Sequence, residues 1–226
     1  TFEDGWPLYG DYDMNDLVLR VNKKTLTTDN NNSVLTFSME VEILAVGATK
    51  NIAAALQLDN VLASDISQAV TYDNKPQSLF SFNSKNIEES QKYVVLPLFA
   101  NAHEAMGVSE KVMVNTYKNS KYNTTNTPKF TFTINLPTGK YTAADFNNSK
   151  LNFFIITNNK ASNRLEVHLP GYKPTDLADQ KVFGRNNDAT DAAQNKYYVS
   201  QDNLSWAIMV PQSFRYPLES VNMTMA

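Results

Sequence analysis

From Leu35 to Ile43 the chain alternates without a break. Leu35, Phe37, Met39, Val41 and Ile43 are apolar, and Thr36, Ser38, Glu40 and Glu42 between them are polar. A repeat of two suits an extended strand, whose successive side chains leave on opposite faces, one buried and one wet. Phe130, Phe132, Ile134 and Leu136 repeat the pattern. Leu17–Val21 is another β-rich run, and Asp29-Asn30-Asn31-Asn32 between it and Leu35 reads as a turn, so the two runs are expected to form a long antiparallel hairpin.

Further strands are expected at Ala53–Leu58, Tyr93–Phe99, Val112–Thr116, Leu151–Thr157, Leu165–Leu169 and Trp206–Val210. Polar loops such as Lys118–Lys129 and Phe183–Lys196 separate them. Helix signals are few: a turn or two within Asn60–Val70, and a short helix after Thr142 as N-cap. Many short strands with spaced turns predict an all-β fold, an antiparallel β-sandwich with long polar loops, of which a jelly roll is one variant. With 226 residues, no linker and no internal repeat, a single domain spanning 1–226 is expected.

Composition removes several classes of function. There is no cysteine, which excludes disulfides, thiol nucleophiles and zinc–thiolate sites. With 20 basic against 23 acidic residues, no basic face for nucleic acid is expected. No run of 18 apolar residues offers a transmembrane helix. The opening Thr1-Phe2-Glu3-Asp4 is not a signal peptide, and the chain reads as a mature or excised piece of a longer protein.

The acidity is local. Asp11, Asp13 and Asn15 alternate, Asp16 follows, and Glu3 and Asp4 lie just upstream. Oxygen ligands two residues apart converge when the backbone curves around a point, as in the first half of an EF-hand loop. An EF-hand itself is excluded: Asp16 stands where its glycine belongs, and Asn22 where its bidentate Glu belongs. So many carboxylates close together repel unless solvated or neutralised by a cation. Calcium, a hard ion taking six to eight oxygens, fits the set Glu3, Asp4, Asp11, Asp13, Asn15 and Asp16, with a distant residue such as Glu166 to add to it. The bland alternative is an Asx-rich turn. A second loop, with Asn186, Asp188 and Asp191, reads better as solvated than as a cation site.

Of the two histidines, His168 shares a strand face with Glu166. Such a pair can serve as a general base, but a hydrogen-bonded pair pinning a loop is the favoured reading. His103 is expected at the surface. No nucleophile elbow, phosphate loop or His-Glu-x-x-His helix appears, so no enzyme is expected. The aromatics, 12 Phe, 11 Tyr and 2 Trp, read mainly as core, although exposed Tyr or Trp would suit sugar stacking.

Phe2-Glu3-Asp4-Gly5-Trp6-Pro7 followed by Gly10-Asp11-Tyr12-Asp13-Met14-Asn15-Asp16-Leu17-Val18 resembles the opening of bacterial LruC-domain proteins. Glu166-Val167-His168-Leu169-Pro170-Gly171-Tyr172, Pro174-Thr175-Asp176-Leu177-Ala178-Asp179 and Phe183-Gly184 resemble that family's second half. So do Tyr197-Tyr198, Trp206-Ala207 and Phe214-x-Tyr216-Pro217-x-Glu219. The family's pattern continues past this point, so the ending at Met225-Ala226 implies a missing tail or divergence. The resemblance implies export, as a secreted, periplasmic or lipid-anchored outer-surface protein common in gut Bacteroidetes. It also implies an all-β fold and suspected calcium at Asp11, Asp13, Asn15 and Asp16. It names no ligand. The expected function is therefore a monomeric, calcium-stabilised surface module for adhesion or for binding a glycan or another surface protein. A glycan or peptide hydrolase at Glu166 and His168, or a purely structural domain, are the alternatives.

Overall fold

In the computed structural model, described for residues 1–109, 112–160 and 163–221, two antiparallel four-stranded sheets pack face to face. The strands are β1 (Val18–Thr28), β2 (Val34–Ala45), β3 (Ala53–Leu62), β4 (Thr71–Tyr72), β5 (Tyr93–Phe99), β6 (Lys129–Asn135), β7 (Leu151–Lys160) and β8 (Asn163–His168). One sheet has the order β1-β2-β6-β4 and the other β5-β3-β7-β8. This is the all-β sandwich expected from the sequence. Its hairpins β1–β2 and β7–β8 each stay within one sheet, so the strand order is not that of a jelly roll.

The first sheet follows its alternation. Phe37, Met39 and Val41 pair with Ile134, Phe132 and Phe130, and all six are buried on the inner face. The β1–β2 turn is held by the Asp29 carboxylate, which accepts the amides of Asn31 and Ser33, both at 2.9 Å. The second sheet does not alternate. Ala53–Leu58, Val94–Phe99 and Leu151–Ile156 are buried continuously, because both faces of that sheet are covered. Phe80 packs with Ala53, Ala55, Val95, Phe154 and Ile156 on the outer face. Pro97, which has no amide to donate, sits in the edge strand β5.

Several expected elements differ. Val112–Thr116 and Trp206–Val210 are not strands; each contributes one isolated bridge, Val46 to Val114 and Phe2 to Ala207. Val114, Trp206 and Ala207 are buried in irregular segments, a burial that period alone cannot tell from a strand, while Met209 and Val210 are exposed. β1 runs well past Val21 into Lys23, Lys24 and the threonines beyond. His103 is buried, not exposed. It lies in a one-turn helix, Ala102–Ala105, capped by Asn101, and its Nε2 sits 3.1 Å from the carbonyl of Ala48. The two expected helical sites each hold a 3-10 turn, Ala63–Asp65 and Ala143–Phe146, the latter in a capping box with Thr142. Met225 and Ala226 lie outside the described residues.

The N-terminal segment joins both ends of the chain. Phe2 bridges Leu17 on one side and Ala207 on the other. Trp6, 2% exposed, packs on Phe183 and Tyr198 with ring centroids 5.4 and 5.3 Å away. Trp206 donates its Nε1 to the carbonyl of Leu8 at 2.8 Å.

Phe37 is fully buried and packs on both Phe132 and Phe146. Phe37→Ala is expected to cost about 3–5 kcal/mol in urea unfolding.

Candidate cation centre

Glu3 follows the Phe2 bridge, with its amide donating to the carbonyl of Trp206 at 2.7 Å. Its carboxylate is fully buried and accepts the amides of Met14 at 2.6 Å and Tyr12 at 3.3 Å. Those two residues are left-handed, with φ of 55° and 57°. Such a conformation costs roughly 1–2 kcal/mol for a residue with a side chain. The two left-handed residues and their amide bonds hold the Asp11–Asn15 backbone around the Glu3 side chain. A Cβ at Gly10 would stand 2.1 Å from Glu3 Oε2, so any side chain there would have to displace the carboxylate.

Carboxylate oxygens of Glu3, Asp11 and Asp13 lie within 4.8 Å of one another. Asp13 is 2% exposed; its Oδ1 accepts the Asn15 amide at 3.3 Å, and its Oδ2 has no hydrogen-bond partner among the described residues. Asn15 is 1% exposed, and neither polar atom of its side-chain amide has a hydrogen-bond partner among the described residues. It is held against Gly47, where a Cβ would fall 1.9 Å from its Oδ1. Asp4 and Asp16 take other contacts. Asp16 Oδ2 accepts the Asp4 amide at 2.7 Å, and Asp4 pairs with Lys50 at 3.0 Å.

The charges press on one another. Burial, then Asp11 and Asp13, push the Glu3 carboxyl up to about 7 against its two amide bonds. Burial, then Asp4 and Glu3, push Asp16 up to about 8. Asp13 is also raised, by burial and then by Asp11. A further carboxylate comes from the other end of the chain. Glu219 donates its amide to the carbonyl of Thr116 at 3.0 Å, and its Oε2 is buried without a partner among the described residues. Burial, then Asp13 and Asp11, raise it to about 7. It stands outside the set that lies within 4.8 Å. Spacing gives no hint that a residue so distant in sequence comes here; the one signal is its place in the Phe214-x-Tyr216-Pro217-x-Glu219 pattern.

The other loop candidates make turns. Asp188, 1% exposed, accepts the Gly184 amide and the Thr190 hydroxyl, both at 2.9 Å. Asp191 caps the 3-10 turn Ala192–Gln194. Asn186 stands apart in a left-handed turn, with φ of 54°.

Glu166 and His168 belong to a buried ionic network on β8, away from these ligands. Arg164 grips Glu88 with two bonds of 2.6 and 3.1 Å, and its Nε lies 2.7 Å from Glu166 Oε1 as an off-axis ion pair. Glu166 also accepts the Thr175 hydroxyl at 2.7 Å and its amide at 3.1 Å. His168 places Nε2 2.9 Å from Glu166 and Nδ1 2.6 Å from Asn152 Oδ1. Asn152 donates its Nδ2 to Asp59 and to the carbonyl of Lys173, so its oxygen is left to accept. Both histidine nitrogens thus face acceptors. The ring is stacked between Phe154, at 4.5 Å, and Tyr198, at 5.0 Å. Burial alone would raise the Glu166 carboxyl, but the His168 bond and the Arg164 charge hold it below its ordinary value. As expected from the sequence, the pair is a hydrogen-bonded pin: it ties β8 to the loop after it through Thr175.

The fold and its acidic end describe a β-sandwich with a carboxylate-lined loop closing one end. The chain belongs to the DUF4842 family, a domain of unknown function, whose model matches residues 32–226. The acidic loop precedes the matched residues, and Glu219 falls within them. No curated protein matches the chain. A solved structure, "Putative lipoprotein from Bacteroides ovatus", is similar with a TM-score of 0.64 and 18% identity. The alignment covers 96% of this chain and 65% of that one, so the chain spans less than two thirds of that protein. No helix among the described residues is long and apolar enough to cross a membrane.

Two measurements test this site and the network. Carboxyls whose folded values are raised stabilise the fold at low pH and lose that contribution as pH climbs through those values. With divalent cations chelated, the Tm is expected to fall as pH rises through about 7 to 8, in melts run over a pH series. His168→Ala, which strips a partner from a buried carboxylate, is expected to cost about 3–5 kcal/mol in urea unfolding.

Proposed function

We propose that this domain is a calcium-stabilised binding module exported to the cell surface, serving adhesion or capture of a ligand such as a glycan, and that it is not an enzyme. The observation that carries the cation is the pairing of a three-carboxylate cluster with buried, unpartnered oxygens, Asp13 Oδ2 and Asn15 Oδ1. Buried polar atoms are otherwise almost always bonded. The donors are all oxygen, which suits a hard cation. The three oxygens lie within 4.8 Å of one another, close enough for one ion to reach all of them, and calcium, with ligands about 2.3–2.6 Å away in flexible geometry, accepts an irregular loop more readily than the stricter magnesium. Glu3, Asp11, Asp13 and Asn15 would hold the ion. Asp4 and Asp16 would support it from the adjoining turn.

Export rests on the resemblance to LruC-domain proteins and on the description of the Bacteroides ovatus neighbour as a lipoprotein. Against a hydrolase stands the state of Glu166 and His168. Both side chains are fully buried and their polar atoms are engaged, which leaves no route for a substrate.

The test is thermal unfolding in chelator and then in calcium, with calorimetry alongside. At a calcium concentration near 100 times Kd the gain is about 2.7 kcal/mol, or roughly 5–10 °C in Tm for a chain of this size. Asp13→Asn should abolish most of that rise. An unchanged Tm together with no heat of binding would sink the proposal.

A further inference from the structure

The ligands gathered by the N-terminal loop fall short of a full calcium shell. Glu3, Asp11, Asp13 and Asn15 offer about four oxygens, one from each side chain, and calcium takes six to eight. An EF-hand meets the same shortfall with a glutamate that gives both its oxygens. Here no residue of the loop is left to do so, since Asp4 and Asp16 are turned to each other and to Lys50.

Glu219 is the acidic side chain that the fold delivers to this place. Val46 pairs with Val114 through bonds of 3.0 and 2.8 Å, and the next residue, Gly47, donates to the carbonyls of Asn15 and Asp16 at 3.0 and 3.2 Å. Thr116 in turn accepts the Glu219 amide at 3.0 Å, and Asn115 accepts the Tyr216 hydroxyl at 3.0 Å. Four stretches of chain thus meet at the acidic end. Asp13 and Asp11 are the charges felt at the Glu219 carboxylate, and the Ser220 amide is felt at Asp13.

Both sides of this meeting lack partners. Asp13 Oδ2 and Glu219 Oε2 are each buried with no hydrogen-bond partner among the described residues. Asp13 is almost wholly buried, so water does not make up the difference. None of Glu3, Asp11, Asp13 and Glu219 is in an ion pair among the described residues. Glu219 stands outside the set that lies within 4.8 Å, so ligation calls for a turn of its flexible side chain while Thr116 keeps its backbone in place.

We propose that Glu219 is the remaining acidic ligand of the cation centre, and that a bound cation latches the segment around it onto the N-terminal loop. The inference rests on the calcium reading above. Two oxygens from Glu219 would bring the shell to about six. With no cation the clustered carboxylates repel, and the 209–221 segment is the part that yields: the backbone groups of 209–215 bond to no other described residue, and Phe214, Leu218 and Val221 are exposed. The ion would therefore join residues more than two hundred positions apart, and its removal would free this segment before the sandwich unfolds.

Calorimetry and hydrogen exchange on the 226-residue protein, with calcium chloride as the probe, test the latch. Glu219→Gln, at a half-buried position, is expected to fold and to lower calcium affinity about tenfold or more. Calcium should slow exchange of the 216–221 amides in the wild type and leave them fast in Glu219→Gln. In chelator the variant's Tm should be unchanged or higher, because a like charge has gone. Equal calcium affinity in the two proteins, or exchange at 216–221 indifferent to calcium in the wild type, overturns the latch and leaves the calcium reading standing. A Tm lowered equally in chelator and in calcium makes Glu219 a structural contact and overturns it as well. No calcium binding by the wild type overturns both readings at once.

Discussion

The acidic end of the molecule hangs on one buried carboxylate. Glu3 reaches its position because Phe2 is clamped between Leu17 and Ala207, so that both ends of the chain hold it in place. From there its oxygens take the amides of Tyr12 and Met14. Those bonds offset the cost of two left-handed residues and coil the loop so that Asp11 and Asp13 turn toward the same oxygens. The bonds satisfy Glu3 only in part. It is left next to two further carboxylates in a place where water is scarce, an arrangement that favours either bound protons or a bound cation. The same contacts thus shape the loop and create its need for positive charge.

A second polar assembly lies on the outer face of the other sheet, and it is balanced. Glu88, Arg164, Glu166 and His168 bring two acids and two bases together, with Asn152 and Thr175 filling the remaining bonds. Burying such a set adds little stability over an apolar equivalent, but it admits one geometry and makes removal of any member costly. Here it ties β8 to the loop through Thr175, under the layer formed by Tyr198, Phe183 and Trp6. The contrast between the two assemblies is one of completeness. In one, opposite charges meet and every carboxylate oxygen is engaged, with Arg164 Nε held by charge alone, and the other keeps oxygens without partners among the described residues.

Legibility in the sequence followed how local the cause was. The alternation in β2 and β6 was readable because one face of that sheet is wet. The second sheet was readable only as apolar runs, since the cover that buries its outer face, including Phe80, comes from elsewhere in the chain. Val112–Thr116 and Trp206–Val210 misled because apolar residues fill sandwich ends as readily as strands. Lys23 and Lys24 hid the second half of β1, whose residues are largely exposed, with only Thr25 and Leu26 partly buried. His103 was misplaced because a four-residue helix, set by Asn101, turns it inward.

The sequence by itself determined the all-β class, the two alternating strands, the Asx turn at Asp29 and the collection of carboxylates near the N terminus. Each of these is a short-range matter of period, turn chemistry or charge density. Only the tertiary structure decided which carboxylates meet. It set Glu3 against Asp11 and Asp13, sent Asp4 and Asp16 to a neighbouring turn with Lys50, and brought Glu219 from the far end of the chain. Convergence of side chains depends on how strands far apart in sequence pair, and no local pattern carries that information.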